Sequence, residues 1–196
     1  MQKGLQTRLS VYLILKSLIN NKSTYDKLFK KEIEKNKYST RDINFIQSVV
    51  LSSLRHNIQV KKIIDKFSNK KINEDTYVLL LGAITQLVFL NFKDYAVVNS
   101  SVELSKKNKI KTYSGFINGI LKNIIKEKES LKKTKIRLKD LPKWFVNKIT
   151  KKNLDDISSI INSITEKPDL HLVFKNKRFL KIFLKERNNE DIETSE

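Results

Sequence analysis

Apolar residues recur along the first part of the chain with the spacing of amphipathic α-helices. A first helix is predicted from four residues at i, i+4, i+7 and i+8, which share one helical face: Leu5, Leu9, Tyr12 and Leu13. A shorter helix is predicted over residues 25–34. Both helices would bury one face and leave the other in water.

The next two helices follow the same pattern. Thr40 is expected to cap the third helix, because a Thr side chain can accept a hydrogen bond from the exposed N–H groups of the first turn. Its predicted inner face consists of Ile43, Ile46, Val50 and Leu54. The fourth helix is predicted over 57–67, and its inner residues are Val60, Ile63, Ile64 and Phe67.

Residues 74–90 form a different pattern, because a helix built from them would be apolar on nearly every face. Two acidic residues and Thr76 precede the run VLLLGAITQLVFL. A helix that is hydrophobic on every side must be surrounded by other helices or by lipid. Thirteen residues are too few to span a bilayer, so the sequence predicts a central helix of a bundle.

Two more helices are predicted over 97–107 and 113–126, and the second holds two of the four glycines of the chain, Gly115 and Gly119. Glycine costs about 1 kcal/mol relative to Ala inside a helix. Close packing of helix backbones would offset that cost. We therefore predict that Gly82 and Gly119 lie at close helix contacts.

The remaining sequence predicts a lysine-rich linker over 128–141 and a small α(+β) segment over 142–185. That segment would contain a helix near residues 154–164 and a strand over the alternating stretch LHLVF, 170–174. An acidic, disordered tail is predicted for 186–196. The fold class is thus all-α, with a helical bundle over residues 1–127.

The net charge of +19 is distributed unevenly. Between Lys106 and Lys152, fifteen Lys and one Arg stand against three acidic residues, a net charge of +13 over 47 residues. Such a stripe attracts the phosphates of a nucleic acid. The alternative is a solvated, lysine-rich surface without a ligand.

Composition excludes several kinds of chemistry. Cys is absent, which excludes disulfides, thiolate metal sites and cysteine nucleophiles, and the two His residues lie far apart in the sequence. No catalytic residues, metal or cofactor are therefore expected. The mixed, charged start of the chain indicates neither a signal peptide nor a membrane span, so we expect a cytoplasmic protein.

Four stretches carry a more specific pattern in their order and spacing: STRDINFIQSVVLSSLRHN (39–57), LLLGAITQLVFL (79–90), YAVVNSSVELSKK (95–107) and YSGFINGILKNI (113–124). Together they resemble the NusB family of helical RNA-binding domains, and above all the N-terminal domain of RsmB-type ribosomal RNA cytosine-C5 methyltransferases. The chain departs from the family pattern at Ser52, Ser53 and Ser100. The stretches LPKWFVNKI and LHLVFKN resemble the linker that joins that domain to the catalytic one, so the resemblance extends to about residue 178.

The resemblance implies a non-catalytic RNA-binding module, with ribosomal RNA as its expected ligand. A cytosine-C5 methyltransferase needs a Cys nucleophile and a glycine-rich cofactor turn, and this sequence has neither, so we expect no binding of S-adenosylmethionine. The chain would be the RNA-binding part of a split or truncated enzyme, with a separate methyltransferase subunit as partner. One alternative is a NusB-type antitermination factor that binds leader RNA, a ribosomal protein and transcription-elongation factors. The other is a protein-interaction module without RNA.

The predicted RNA contacts follow from the charge stripe and from the resemblance. Lys3 and Arg8 match the position of the family's basic N-terminal segment. The other predicted contacts lie in one inter-helix loop and on the helix after it: Lys106, Lys107, Lys109, Lys111, Lys122 and Lys126. Arg41, Asp42, Arg55 and Glu103 are interpreted as structural ion pairs or helix-end partners, and Trp144 as a packing anchor.

Overall fold

The computed structural model describes residues 3–20, 23–69, 71–107, 110–150, 157–168 and 173–187. The chain divides into two compact units, Met1–Glu166 and Lys167–Glu196. The described residues of the first unit form ten α-helices: α1 (Lys3–Ile19), α2 (Tyr25–Lys35), α3 (Thr40–Arg55), α4 (Asn57–Phe67), α5 (Glu74–Ile84), α6 (Asp94–Lys107), α7 (Ser114–Lys126), α8 (Lys128–Lys132), α9 (Lys143–Thr150) and α10 (Ile157–Ser163).

Three shorter helical segments complete this unit: a π-helical segment Thr85–Phe89 and two 3₁₀ turns, Lys111–Tyr113 and Leu138–Asp140. The second unit contributes α11, Lys177–Arg187. The predicted all-α class is confirmed, since the described residues include no strand. Most of the strand predicted over 170–174 lies outside the described residues.

Helix α5 is the centre of the bundle, as its apolar sequence predicts. The Asn73 side chain caps it by accepting a hydrogen bond from the Thr76 N–H at 2.8 Å. From Val78 to Val88 every residue is buried, and α5 contacts α1, α3, α4, α6 and α7. The π-helical segment continues α5 and ends before Asn91, whose φ of 52° is a conformation that Asn tolerates better than most residues.

The inner face of α3 differs from the predicted one. Ile46 and Val50 are buried as expected, but Val49 and Ser53 are buried with them, and Leu54 is 39% exposed. A stripe at i, i+3, i+4 and i+7 therefore replaces the predicted stripe. Ser52 and Ser53 occupy the inner positions near the end of the helix. Because serine is polar, the spacing of apolar residues does not predict that these positions are buried.

The cap of α3 also lies one residue earlier than predicted. Ser39 is the N-cap, and its hydroxyl accepts a hydrogen bond from the Asp42 N–H at 3.3 Å. The Asp42 carboxylate accepts in return from the Ser39 N–H at 3.2 Å, which completes a capping box. The interpretation of Asp42 as a helix-end partner is thus confirmed.

The segment predicted as a linker, 128–141, includes α8 and lies along α4. Gln59 Nε2 donates to the carbonyl of Thr134 at 2.6 Å. Lys62 donates to the carbonyl of Lys135 at 2.9 Å and pairs with Asp140 at 2.6 Å. The hydrogen bond from Lys62 lowers the pKa of the Asp140 carboxyl. Leu131 and Leu141, near the two ends of this segment, are buried.

His56 extends this set of contacts toward the core. Its ring stacks on Phe89 with 3.9 Å between the ring centroids, and its Nδ1 lies 2.6 Å from Oε1 of Gln59. Since Gln59 donates to Thr134, Oε1 is free to accept from the His56 N–H. The junction of α3 and α4 is thereby linked to the chain after α8.

The expectation of a close helix contact is wrong for Gly119. A methyl group placed there would meet no atom within 4 Å outside its own helix, and the same holds for Gly115. Both residues are exposed. Gly82 does lie against α1, where an added Cβ would stand 3.6 Å from Leu15 Cδ1 and Val11 Cγ1. That is ordinary contact, so this site has room for a methyl group only.

Among the described residues, no helix is both long enough and apolar enough to cross a bilayer.

We predict opposite effects of substitution at the two glycines. Gly119→Ala should raise the free energy of unfolding by about 0.5–1 kcal/mol, because Ala restricts the unfolded chain and meets no obstacle in the folded one. Gly82→Leu should lower it by about 1–3 kcal/mol through overpacking against α1. Urea unfolding followed by circular dichroism measures both. A destabilised Gly119→Ala protein would show that this position is packed after all.

We also predict that His56 makes stability depend on pH. Burial lowers the pKa of His56, so the folded protein takes up a proton less readily than the unfolded chain, in which the pKa of His is about 6.5. This contribution to stability is complete above about pH 6.5 and is lost as the pH falls below it. His56→Phe keeps the ring contact with Phe89 and removes the titration. The wild type should therefore lose stability more steeply than His56→Phe between about pH 6.5 and 5 in urea unfolding. Parallel curves would contradict the assignment.

Candidate nucleic-acid interface

Helix α7 has two faces of opposite character. Its buried face consists of Ile117, Ile120, Leu121 and Ile124. The opposite face carries four exposed residues at i, i+4, i+7 and i+11: Gly115, Gly119, Lys122 and Lys126. Because a helix turns about 100° per residue, this spacing aligns the four residues along its length. The two lysines therefore point away from the core. On the same face, Gly115 and Gly119 add no side chain.

More lysines lie at the end where α6 passes into α7. Lys106 and Lys107 occupy the last turn of α6, and Lys111 begins the 3₁₀ turn before α7. All three side chains are exposed. Lys106 also pairs with Glu103 at 3.1 Å, which confirms a structural ion pair for Glu103. Lys109 lies outside the described residues.

We call the five exposed lysines on α7 and at the connection from α6 the basic face: Lys106, Lys107, Lys111, Lys122 and Lys126. Helices α6 and α7 pack against each other, so the end of α6 and the start of α7 lie side by side. At 1.5 Å per residue, Lys126 stands about 18 Å along α7 from its first residue. The basic face therefore extends over the length of several phosphates.

Two lysines near the end of the basic face form ion pairs within the bundle. Lys66 of α4 pairs with Glu127, which follows α7 directly. Lys128 pairs with Asp94 at 3.3 Å and has a largely buried side chain, 17% exposed. These contacts fasten the ends of α7 and α8 to the bundle and neutralise part of the local charge.

The Arg8 side chain is half-buried and forms contacts within the bundle. Its Nε donates to Gln86 Oε1 at 3.0 Å, and its Nη1 donates to the carbonyl of Gly4 at 3.0 Å. The guanidinium carbon lies 5.1 Å from the centroid of the Phe45 ring. Burial lowers the pKa of Arg8. Arg8 thus connects α1 with α3 and the π-helical segment, and Gln86, its buried acceptor, is a partner that the apolar pattern did not reveal.

Lys3 lies at the first residue of α1, and its side chain is outside what the structure describes. The N-terminal pair of predicted contacts is thus on a different helix from the basic face. RNA contact by Lys3 and Arg8 stays a prediction.

Trp144 is not the packing anchor that the sequence suggested. Its side chain is 65% exposed on α9, and its ring has an edge contact with Phe145 at 5.6 Å between centroids. Trp is highly buried on average in folded proteins, so the sequence alone favours a packing role. Only the position of α9 relative to its neighbours shows otherwise.

The comparison with known families identifies the bundle. The NusB family matches residues 5–126, which span α1 to α7. The chain belongs to the NusB family.

The chain is similar in sequence to proteins of two kinds, antitermination proteins and ribosomal RNA methyltransferases. The transcription antitermination protein NusB of Finegoldia magna is 30% identical over 118 residues, which cover 57% of this chain and 86% of that protein. The probable ribosomal RNA small subunit methyltransferase B of Coxiella burnetii is 28% identical over 136 residues, or 66% of this chain. The match covers only 32% of that methyltransferase. A methyltransferase B of Pasteurella multocida is 25% identical, with 31% of its length covered.

Solved structures show the same fold. A chain in the crystal structure of antitermination factors NusB and NusE in complex with dsRNA superimposes with a TM-score of 0.58 and 25% identity, covering 64% of this chain and 98% of that one. A chain in the crystal structure of a plectonemic RNA supercoil superimposes with a TM-score of 0.56 and 24% identity, covering 64% and 96% of the two chains.

We predict that Arg8 stabilises the bundle through its geometry as well as its charge. Arg8→Met should lower the free energy of unfolding by about 1.5–3 kcal/mol, because Gln86 then loses a charged donor. Arg8→Lys keeps the charge but cannot form the same fork of hydrogen bonds, so it should also be destabilised. Urea unfolding of both variants is the measurement. Wild-type stability in Arg8→Lys would mean that charge alone matters at this position.

Proposed function

We propose that this protein is a non-catalytic RNA-binding module that holds RNA on the basic face of α6 and α7. One observation carries the proposal. The outer face of α7 carries two exposed lysines and two glycines, and three further exposed lysines lie at the end of α6 and in the turn before α7. No bulky side chain of that face would keep a sugar–phosphate backbone away from the helix.

The chemistry of the basic face favours recognition of phosphates. Lysine is a flexible point charge, whereas the reading of base edges relies more on arginine and amide side chains. Contacts to phosphates fix the position of an RNA and give affinity that falls with salt. The module would therefore bind many sequences and draw its preference from RNA shape or from a partner.

Ribosomal RNA is the ligand we propose. The chain aligns over more residues with the methyltransferase B relatives than with the NusB relative. It spans about a third of the length of those methyltransferases, and methyl transfer is not proposed for this chain. A separate methyltransferase subunit is the partner that this proposal implies.

Antitermination is the second candidate. It is supported by the relative from Finegoldia magna, 86% of which is covered, and by the structural neighbour solved with NusE and dsRNA. Under this reading the partners would be a ribosomal protein and transcription-elongation factors. Affinity purification of the tagged chain separates the two, since one predicts a methyltransferase subunit and the other predicts elongation factors.

We predict that RNA affinity depends on the basic face. Changing Lys111, Lys122 and Lys126 together to Gln should weaken binding to single-stranded RNA of any sequence. The slope of log affinity against log salt should flatten by about 2, because each phosphate contact to a single strand contributes about 0.7. Fluorescence anisotropy of a labelled RNA over a series of salt concentrations measures both effects.

A matched variant controls for the loss of overall charge. Lys27, Lys31 and Lys35 are exposed on α2, so changing these three to Gln removes the same charge elsewhere. This variant should keep the wild-type slope. If the two triple variants flatten the slope equally, RNA is not held at the basic face.

A further inference from the structure

Helix α9 presents an exposed face built around Trp144. Since a helix turns about 100° per residue, Trp144, Asn147 and Lys148 lie on one side of α9 at i, i+3 and i+4. All three are exposed. Phe145 and Ile149 lie on another side of α9 and are half-buried. The helix thus buries smaller apolar residues in part and leaves its largest one in water.

This exposure calls for a physical reason. A Trp side chain that is 65% exposed leaves a large aromatic surface in contact with water, although Trp is highly buried on average in folded proteins. Burying that surface against another ring or a ligand would be favourable.

The charge around Trp144 indicates which ligand would cover it. Lys143 and Lys148, on either side along α9, are both exposed. Among the residues that the structure describes, neither forms an ion pair with a carboxylate. An apolar protein partner would have to desolvate these two charges. A nucleic acid would instead neutralise them with its phosphates while a base covers the indole.

We propose that Trp144 is a stacking platform for an unpaired base of bound RNA. Lys143 and Lys148 contact the phosphates that flank this base, and the side-chain amide of Asn147 lies where it can bond to a base edge. Single-stranded RNA is commonly held in this way, by cations along the backbone and aromatic rings under the bases. The inference rests on the RNA binding proposed above and adds a second site to the basic face.

Trp144 reports on its own occupancy, because it is the single Trp of the chain. A stacked base should quench its fluorescence. We expect single-stranded oligouridylate to quench the emission with the same midpoint that anisotropy of the labelled RNA gives. A fully paired RNA duplex and an abasic oligonucleotide both retain phosphates but offer no free base, so they should bind without this quenching.

Substitutions separate stacking from hydrophobic contact and from folding. Trp144→Ala and Trp144→Leu should each weaken binding of oligouridylate by about 5- to 150-fold, the range known for loss of one base–aromatic stack. Trp144→Phe keeps an aromatic face and should lose less. No charge changes, so the salt slope should equal that of the wild type. Thermal unfolding should also be unchanged, since the side chain lies largely in water.

The outcomes distinguish this inference from the proposed function. If RNA binds with unchanged Trp emission and Trp144→Ala keeps wild-type affinity, the platform is refuted while RNA binding stands. If no RNA binds to the wild type, both proposals fail. If emission changes only when a ribosomal protein or a methyltransferase subunit is added, the α9 face is a protein interface and the platform is again refuted.

Discussion

The burial of every residue from Val78 to Val88, in α5 and the π-helical segment after it, is the constraint on which the rest of the structure depends. An apolar helix of this kind exposes no acceptable surface to water, so it must be enclosed on all sides. Helices α1, α3, α4, α6 and α7 provide that enclosure. Their inner faces pack against α5 and against one another, and their outer faces are left free to carry charge.

The basic face follows from this arrangement. Because α7 buries Ile117, Ile120, Leu121 and Ile124 against the core, the residues on its opposite side are presented together to water. Lys122 and Lys126 share this exposed side, and three more exposed lysines lie where α6 passes into α7. The basic residues of the sequence stripe thus include two that share one exposed helical face and three at the connection that leads into that helix.

Polar contacts fix what the apolar core leaves undetermined. Arg8 and Gln86 join α1 to the end of the central helix, and His56, Gln59 and Lys62 hold the segment after α7 along α4. In both places a long polar side chain meets a backbone carbonyl or a buried amide. Such contacts hold neighbouring segments of the bundle in a defined position. They explain why the segment 128–141 lies along α4 although its composition is that of a flexible linker.

The sequence by itself determined the helical class, the central position of α5 and the family, because periodicity and motif order are properties of the chain alone. It also placed most of the basic residues on or beside α7. The tertiary structure decided which side of each helix is inner: it buried Ser53, exposed Leu54 and Trp144, and left Gly119 without neighbours. It also turned Arg8 toward Gln86. The physical reason is that burial depends on which elements lie opposite, and this follows from the packing of the whole bundle rather than from local spacing.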